Sequence, residues 1–409
     1  NPEWKPDFGP AEFTESVSKS GCSAIGARDF LVAINYNLNT TSTRRANAIA
    51  FDVREKGRKL REGNPITGKV VKDENGEDVW VKGSLKGCKA IGWYIEEYGI
   101  AQVSMNVTDI SVTPVHIAFD EVCAKAQARG IRVTGAEIVG LIPKKVLIDA
   151  GKYYLTKQQR SLGISESEII KIAVKSMGLD DLKPFDPKEK VIEYLMEDDS
   201  AAKLVKMTCE GFARETASES PAPGGGSISA YMGALGAALG TMVANLSSHK
   251  PGWDARWNEF SIWAEKGQIL MEKMLHLVDE DTAAFNKIMD ALGMPKESEA
   301  EKLARVEALQ AATIYATQVP LQTMEVAISG FELVYEMACK GNPNSVSDAG
   351  VGALALWSAV QGAFLNVKIN ASGIKDRTIA EDILAKADKI AAESDILRDK
   401  VLTQVNTII

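Results

Sequence analysis

The hydrophobic period changes once along this chain, and that change dictates two kinds of fold. Up to about residue 195, short runs alternate between strand-like and helical patterning; past Asp198 the strand-like runs disappear. In the first part, "ARDFLVAINYNL" (27–38) has strand composition and "TRRANAIAFDVREKGR" (43–58) has helical periodicity. "GCKAIGWYIEE" and "IAQVSMNVTD" flank Tyr98-Gly99 as the arms of a hairpin. After Pro114, "VHIAFDEVCAKAQARG" makes an amphipathic helix ending at Gly130, and "IRVTGAEIVGL" is another strand. The order β-α-β-β-α-β is the split arrangement of ferredoxin-like folds. "TGKVVKDENGEDVWVKG" interrupts it as an excursion of two short strands about Asn75-Gly76. Residues 200–405 give about seven helical segments, with breaks at a glycine-rich loop, Pro251-Gly252, Gly293-Met294-Pro295, Pro320 and "KGNPNS" (340–345). The expected class is α/β plus all-α: a ferredoxin-like subdomain with a helical tail over 1–196, an acidic linker over 197–201 near "MEDDS", and a helical domain over 202–409.

Charge and rare residues narrow the chemistry. A formal net charge of −8 argues against general nucleic-acid binding, which needs clustered Lys and Arg, and leaves an anionic small molecule to find a local basic patch. Five cysteines, at 22, 88, 123, 209 and 339, form no Cys-x-x-Cys pair and read as reduced thiols of a cytoplasmic protein. The three histidines, His116, His249 and His276, supply no His-x-x-x-His, so neither a zinc site nor a histidine nucleophile is expected. No secretory leader is seen, and "NPEWKPDFGP" opens without methionine, which suggests a fragment or a processed product. The uncharged stretch from Ser220 to Ser248 is long enough to span a bilayer. Its Gly, Ala, Ser and Met composition, with Asn245 inside, fits a buried and closely packed helix instead, and no membrane contact is expected.

Within the helical part, "ESPAPGGGSISA" (219–230) is the first candidate for chemistry. It lacks the Gly-Lys-Ser/Thr of a phosphate-binding loop, and it follows a helix where a dinucleotide fingerprint would follow a strand. Two readings stand. Gly233, Gly236, Ala237, Gly240 and Ala244 recur at three- and four-residue steps, so the loop leads into a tight helix–helix seam. Equally, the N–H groups of Gly224, Gly225, Gly226 and Ser227 at a helix N-terminus would hold a polar or anionic ligand. In "MEKMLHLVDEDTAAFNKIM" (271–289), Met274, Leu277, Val278, Phe285, Ile288 and Met289 share one arc at 100° per residue. Asp279 and Glu280 fall on the polar side, but Asp281 lies inside the apolar arc. Burial would raise that carboxyl towards neutrality and suit it to general acid–base work. A structural aspartate bonded to nearby backbone is the alternative. Asn366 and Asn370, one turn apart over small residues, either frame a planar heterocycle or make interhelical hydrogen bonds. Asp348 reads as a helix N-terminal residue, with ligand binding second.

Four of these stretches, "APGGGSISA", "LVDEDTAAF", "KGNPNSVSDAGVGALAL" and "GAFLNVKIN", in this order closely resemble the cyclodeaminase domain of the formimidoyltransferase-cyclodeaminase family. "PDFGP", "GARDFLVAINYNL", "KAIGWYIEEYGIAQVSMNV" and "PFDPKEKVIEYL" resemble the carboxy-terminal subdomain of its formimidoyltransferase. The resemblance implies a cytoplasmic enzyme of histidine degradation, assembled as a homo-oligomer built from dimers. Its transferase moves a formimino group from N-formimino-L-glutamate to tetrahydrofolate. Its cyclodeaminase closes 5-formiminotetrahydrofolate to 5,10-methenyltetrahydrofolate and releases ammonia. Tetrahydrofolate, polyglutamylated or not, is then substrate, with no tightly bound cofactor and no metal. The family's acid/base residue is the last carboxylate of Asp-x-Asp, here Asp281, and a folate contact of the transferase falls near "CSAIGAR", at Ser23. The resemblance makes 224–227 a substrate loop. It also implies that the amino-terminal transferase subdomain, with its catalytic histidine, is lacking, since none of the three histidines matches that one. The competing expectation is a non-catalytic folate-binding or oligomerisation scaffold.

Overall fold

The computed structural model describes residues 5–27, 29–64, 67–197 and 204–409. They form two compact units, Asn1–Pro143 with Leu179–Pro184, and Lys144–Gly178 with Phe185–Ile409.

The first unit is a mixed α/β layer. Its elements are α1 (Glu15–Ser20), β1 (Val32–Leu38), α2 (Thr43–Val53), β2 (Arg58–Lys59), β3 (Trp80–Val81), β4 (Cys88–Ile95), β5 (Ile100–Val107), α3 (Val115–Gln127) and β6 (Val133–Val139). Four strands form an antiparallel sheet in the order β4-β5-β1-β6. Strand β1 is central because its alternate residues Val32, Ile34, Tyr36 and Leu38 are all apolar and fully buried. Ile34 sits opposite Met105 on one side and Ile138 on the other. Helix α2 lies close on β4 at Gly92, where a Cβ would overlap the Asn47 backbone. The Asn47 amide brackets that glycine, accepting from its N–H at 2.9 Å and donating to its carbonyl at 3.1 Å. The β2–β3 excursion is held by two backbone crossings that only glycine permits: a Cβ on Gly57 would overlap Val81 O, and one on Gly83 would overlap Arg54 O. Its tip turns at Gly76, with φ +80°.

The second unit contains only helices among its described residues: α4 (Lys144–Lys157), α5 (Glu166–Met177), the one-turn α6 (Pro187–Lys190) and α7 (Ile192–Leu195), α8 (Cys209–Thr216), α9 (Gly225–Ser248), α10 (Trp257–Gly293), α11 (Glu299–Lys340), α12 (Val346–Ala371) and α13 (Arg377–Asn406). Of the expected linker 197–201 only Glu197 lies among the described residues; by packing, the units part at Pro143/Lys144. The cause is the α4–α5 turn. Its Gly163 carbonyl accepts from Asn245 Nδ2 at 2.8 Å and Gln268 Nε2 at 3.2 Å, and Lys152 pairs with Glu265. Helix α9 is the axis of the unit, packed against α10, α11 and α12. A Cβ on Gly233 would come 2.7 Å from Met274 Cε, on Gly236 2.8 Å from Gly352 O, and on Gly240 2.8 Å from Leu333. The small-residue row is a packing seam. Helices Gly225–Ser248 and Pro343–Ala371 are long and apolar enough to cross a membrane, and both are packed in this core, with 61% and 50% of their apolar windows buried.

One expected break is absent. Helix α11 runs unbroken through Pro320. Proline has no N–H, so the Ala316 carbonyl one turn earlier loses its helical donor. Asn370 of α12 replaces it, donating from Nδ2 to Ala316 O at 2.7 Å. A side chain from the next helix thus completes the ladder that the proline opens. Asn370→Ala should cost about 1–3 kcal/mol, the penalty for a buried carbonyl left unpaired. In a Pro320→Ala background, where residue 320 regains its N–H, the same change should cost much less. Denaturant unfolding of the four proteins measures that coupling.

Candidate functional site

The first turn of α9 explains its glycines by space, not by conformation. Gly224 caps the helix with φ −101°, and none of Gly224, Gly225 and Gly226 takes a positive φ. A Cβ on Gly226 would overlap the Asp281 carboxylate, and one on Gly225 would come 3.2 Å from Asn366 Nδ2. The bare backbone lets two polar side chains, from α10 and α12, reach the mouth of α9.

Asp281 is half-buried. Its Oδ2 accepts from the Ser227 N–H at 2.8 Å and lies 3.0 Å from Ser227 Oγ. Ser227 is fully buried, and its hydroxyl also lies 3.0 Å from Val278 O. One hydroxyl proton therefore has two acceptors. Burial pushes the Asp281 carboxyl above its usual range, against the two Ser227 bonds, which pull it down. Beside it, Thr282 Oγ1 is buried without a hydrogen-bond partner among the described residues.

The other candidate residues divide. Asn366 donates from Nδ2 to Gly362 O at 2.9 Å and stands against Gly225, so it belongs with Asp281. Asn370 is committed to Ala316 O. Asp348 stands in the first turn of α12, eighteen residues from Asn366, or about 27 Å along the helix. It does not join the Asp281 group within this chain. Ser23 lies exposed in the irregular stretch 21–27 of the first unit. Asp279 accepts from Leu204 N–H at 2.8 Å, and Glu280 accepts from the Tyr315 hydroxyl, so neither is a free surface carboxylate. The apolar arc of α10 is covered only over its first part: Met274 is 1% exposed, whereas Phe285 is 38% and Met289 50%. Ser229 and Thr282 were not singled out by the sequence. Ser229 bonds Gly225 O from one turn away, and only that i+4 spacing could have pointed to it. Among the described residues, no three His, Cys, Asp or Glu side chains gather as a metal site requires.

This site falls in a segment with known relatives. Residues 208–389 match the family described as formiminotransferase-cyclodeaminase, and 33–197 match the formiminotransferase domain. The formimidoyltransferase-cyclodeaminase of Gallus gallus is 37% identical over 395 residues, covering 96% of this chain and 68% of the chicken protein. The chain belongs to the formimidoyltransferase-cyclodeaminase family. It spans about two thirds of that relative's length. The methenyltetrahydrofolate cyclohydrolase of Methylorubrum extorquens is 36% identical over 200 residues, covering 49% of this chain and 96% of that protein. A solved formiminotetrahydrofolate cyclodeaminase from Thermotoga maritima is 27% identical and covers half of this chain, with a TM-score of 0.45.

The raised carboxyl has a consequence for stability. Because Asp281 holds its proton more tightly folded than unfolded, stability falls as pH rises from the ordinary carboxylate range through the raised value. Asp281→Asn has no such ionisation. Its melting temperature relative to the parent should be lowest in acid, rise through that window and level off above it. A difference that is flat with pH would show that Asp281 titrates normally.

Proposed function

We propose that the helical unit closes 5-formiminotetrahydrofolate to 5,10-methenyltetrahydrofolate with release of ammonia, and that Asp281 is its general acid and base. The observation that carries this reading is a half-buried carboxylate, fixed by Ser227 against a glycine face, inside the segment matching the family. The formimino group reacts as its protonated amidinium, with two hydrogens on the nitrogen; N10 of the folate attacks its carbon, and the N10 proton passes to Asp281. The protonated carboxyl returns it to the departing nitrogen, which leaves as ammonia while N5, carbon and N10 close into the methenyl cation. Ser227 is suited to both states: its hydroxyl donates to the ionised carboxylate and turns to Val278 O once Asp281 carries the proton. The N–H groups of Gly225 and Gly226 and the Oδ1 of Asn366 are offered to polar atoms of the folate. No cofactor is needed beyond the tetrahydrofolate substrate, since proton transfer and positioning supply the chemistry.

The first unit is read as a ferredoxin-like scaffold, the carboxy-terminal subdomain of a glutamate formimidoyltransferase, with Ser23 as a folate contact. On this reading, transfer from N-formimino-L-glutamate depends on a catalytic histidine that none of His116, His249 and His276 is read as supplying. The exposed Phe285, Met289, Leu292 and Leu303 support assembly into a homo-oligomer. We also propose a cytoplasmic place in histidine degradation.

A second reading uses the same site. The Methylorubrum relative is named a methenyltetrahydrofolate cyclohydrolase, and a carboxylate that protonates a leaving amine can equally deprotonate water attacking the methenyl carbon. Product analysis separates the two: ammonia from the formimino substrate for one, 10-formyltetrahydrofolate from the methenyl substrate for the other.

Asp281→Asn should lower cyclodeaminase turnover by about 10²–10⁴-fold, followed by methenyl absorbance and ammonia release. Ser227→Ala keeps the carboxylate but loses one bond to its ionised form, so its acidic rate limb should move to higher pH. Near-normal turnover by Asp281→Asn would remove the assignment. Separately, the 409-residue chain assayed with formiminoglutamate and tetrahydrofolate should show negligible transfer; robust transfer would overturn the reading of its first unit.

A further inference from the structure

A marked concentration of positive charge lies in the first unit, among residues outside the proposed catalytic group. Seven of the eighteen residues from Arg44 to Arg61 are Arg or Lys, against two carboxylates, in a chain whose net charge is −8. The fold gathers five of these cations around one cavity of about 680 Å³: Arg44, Arg54, Arg58, Lys59 and Arg61. No carboxylate lines it among the described residues.

The nearby acids are already committed. Asp52 is shared between Arg58 and Arg129, and Asp78 between Lys59 and Lys72. Glu55 accepts from the Gly87 N–H at 2.9 Å. Among the described residues, Arg54 and Arg61 hydrogen-bond backbone carbonyls, Arg54 to Gly57 and Ala90, Arg61 to Gly68. Arg44 has no ion pair among the described residues. Arg54, Arg58 and Arg61 are half-buried, and burial lowers the affinity of Arg54 and Arg58 for their protons, aided at Arg58 by Arg129. Arg44, Arg54 and Arg61, held together without a paired carboxylate among the described residues, repel one another; a bound anion relieves that repulsion.

Two aromatic rings complete the wall. Phe51 lies under the Arg54 guanidinium at 4.0 Å, and Trp80 carries the Lys56 ammonium over its ring at 4.7 Å. Trp80 is still 37% exposed, and that exposed part of the indole would meet a flat partner beside the cations. The backbone crossings at Gly57 and Gly83 bring Trp80 onto the end of α2.

We infer that this cavity binds a small oligoanion bearing a flat ring, with Arg44, Arg54 and Arg61 on its negative groups and Trp80 against the ring. The negative groups could be phosphates or carboxylates, and both meet guanidinium geometry. The inference shares no residue with the proposed catalytic group, so either can fail alone.

Isothermal titration of the full chain with ATP, with trimesate (a benzene ring bearing three carboxylates) and with tripolyphosphate tests it. At least one ring-bearing probe should bind at a single saturable site, and which one binds identifies phosphate or carboxylate as the recognised group. Arg44→Gln, on the exposed start of α2, should weaken it about tenfold without altering the melting temperature. Trp80→Leu should weaken the ring-bearing probe and leave tripolyphosphate unchanged. Absence of saturable binding by ATP and trimesate, or binding that neither substitution weakens, would overturn the inference. Tripolyphosphate binding as tightly as ATP would overturn the role of the ring.

Discussion

The helical unit depends on how closely other helices can approach α9. Gly233 and Gly240 make room for the Met274 and Leu333 side chains, and at Gly236 the absence of a side chain lets α9 meet the α12 backbone at Gly352. The same device at Gly226 serves a different purpose, because its neighbour is the Asp281 carboxylate. A single row of small residues therefore builds the core at one end and admits an ionisable group at the other. Packing and chemistry share one structural cause.

That carboxylate shows how a polar group is kept in a poor solvent. Burial raises its proton affinity, while a backbone N–H and a serine hydroxyl restrain the rise. The opposition matters more than either effect alone. A fully desolvated aspartate without donors would stay protonated, and a fully solvated one would stay ionised; the balance leaves both forms accessible. Ser227 contributes to that balance with an N–H that is fixed and a hydroxyl that can turn.

Asn370 carries a different lesson. Paired with Asn366 one turn away, it was open to a ligand or to an interhelical hydrogen bond, and it makes such a bond, replacing the donor that Pro320 cannot supply to Ala316. No local pattern links residue 370 to residue 320, since the two meet only once α11 and α12 are packed. The basic cavity is similar in kind: its arginines are adjacent in sequence, but Trp80 and the backbone crossings that enclose them come from a later excursion.

Local periodicity determined the four sheet strands, the two helices beside them and most of the later helices, because alternation and 3.6-residue repeats are properties of neighbouring residues. It also singled out Asp281, since a carboxylate within an apolar arc is visible on a helical wheel. Tertiary structure alone decided that α11 passes through Pro320, that α4 and α5 pack with the helical unit, and that Asp348 stands a helix length from Asn366. It also decided that the loop glycines serve space and not positive φ. Each of these rests on a partner distant in sequence: a carbonyl answered by another helix, a turn pinned by Asn245 and Gln268, a carboxylate occupying the volume of an absent Cβ. Sequence pattern records which face of an element is apolar; which atoms meet on that face is settled by packing.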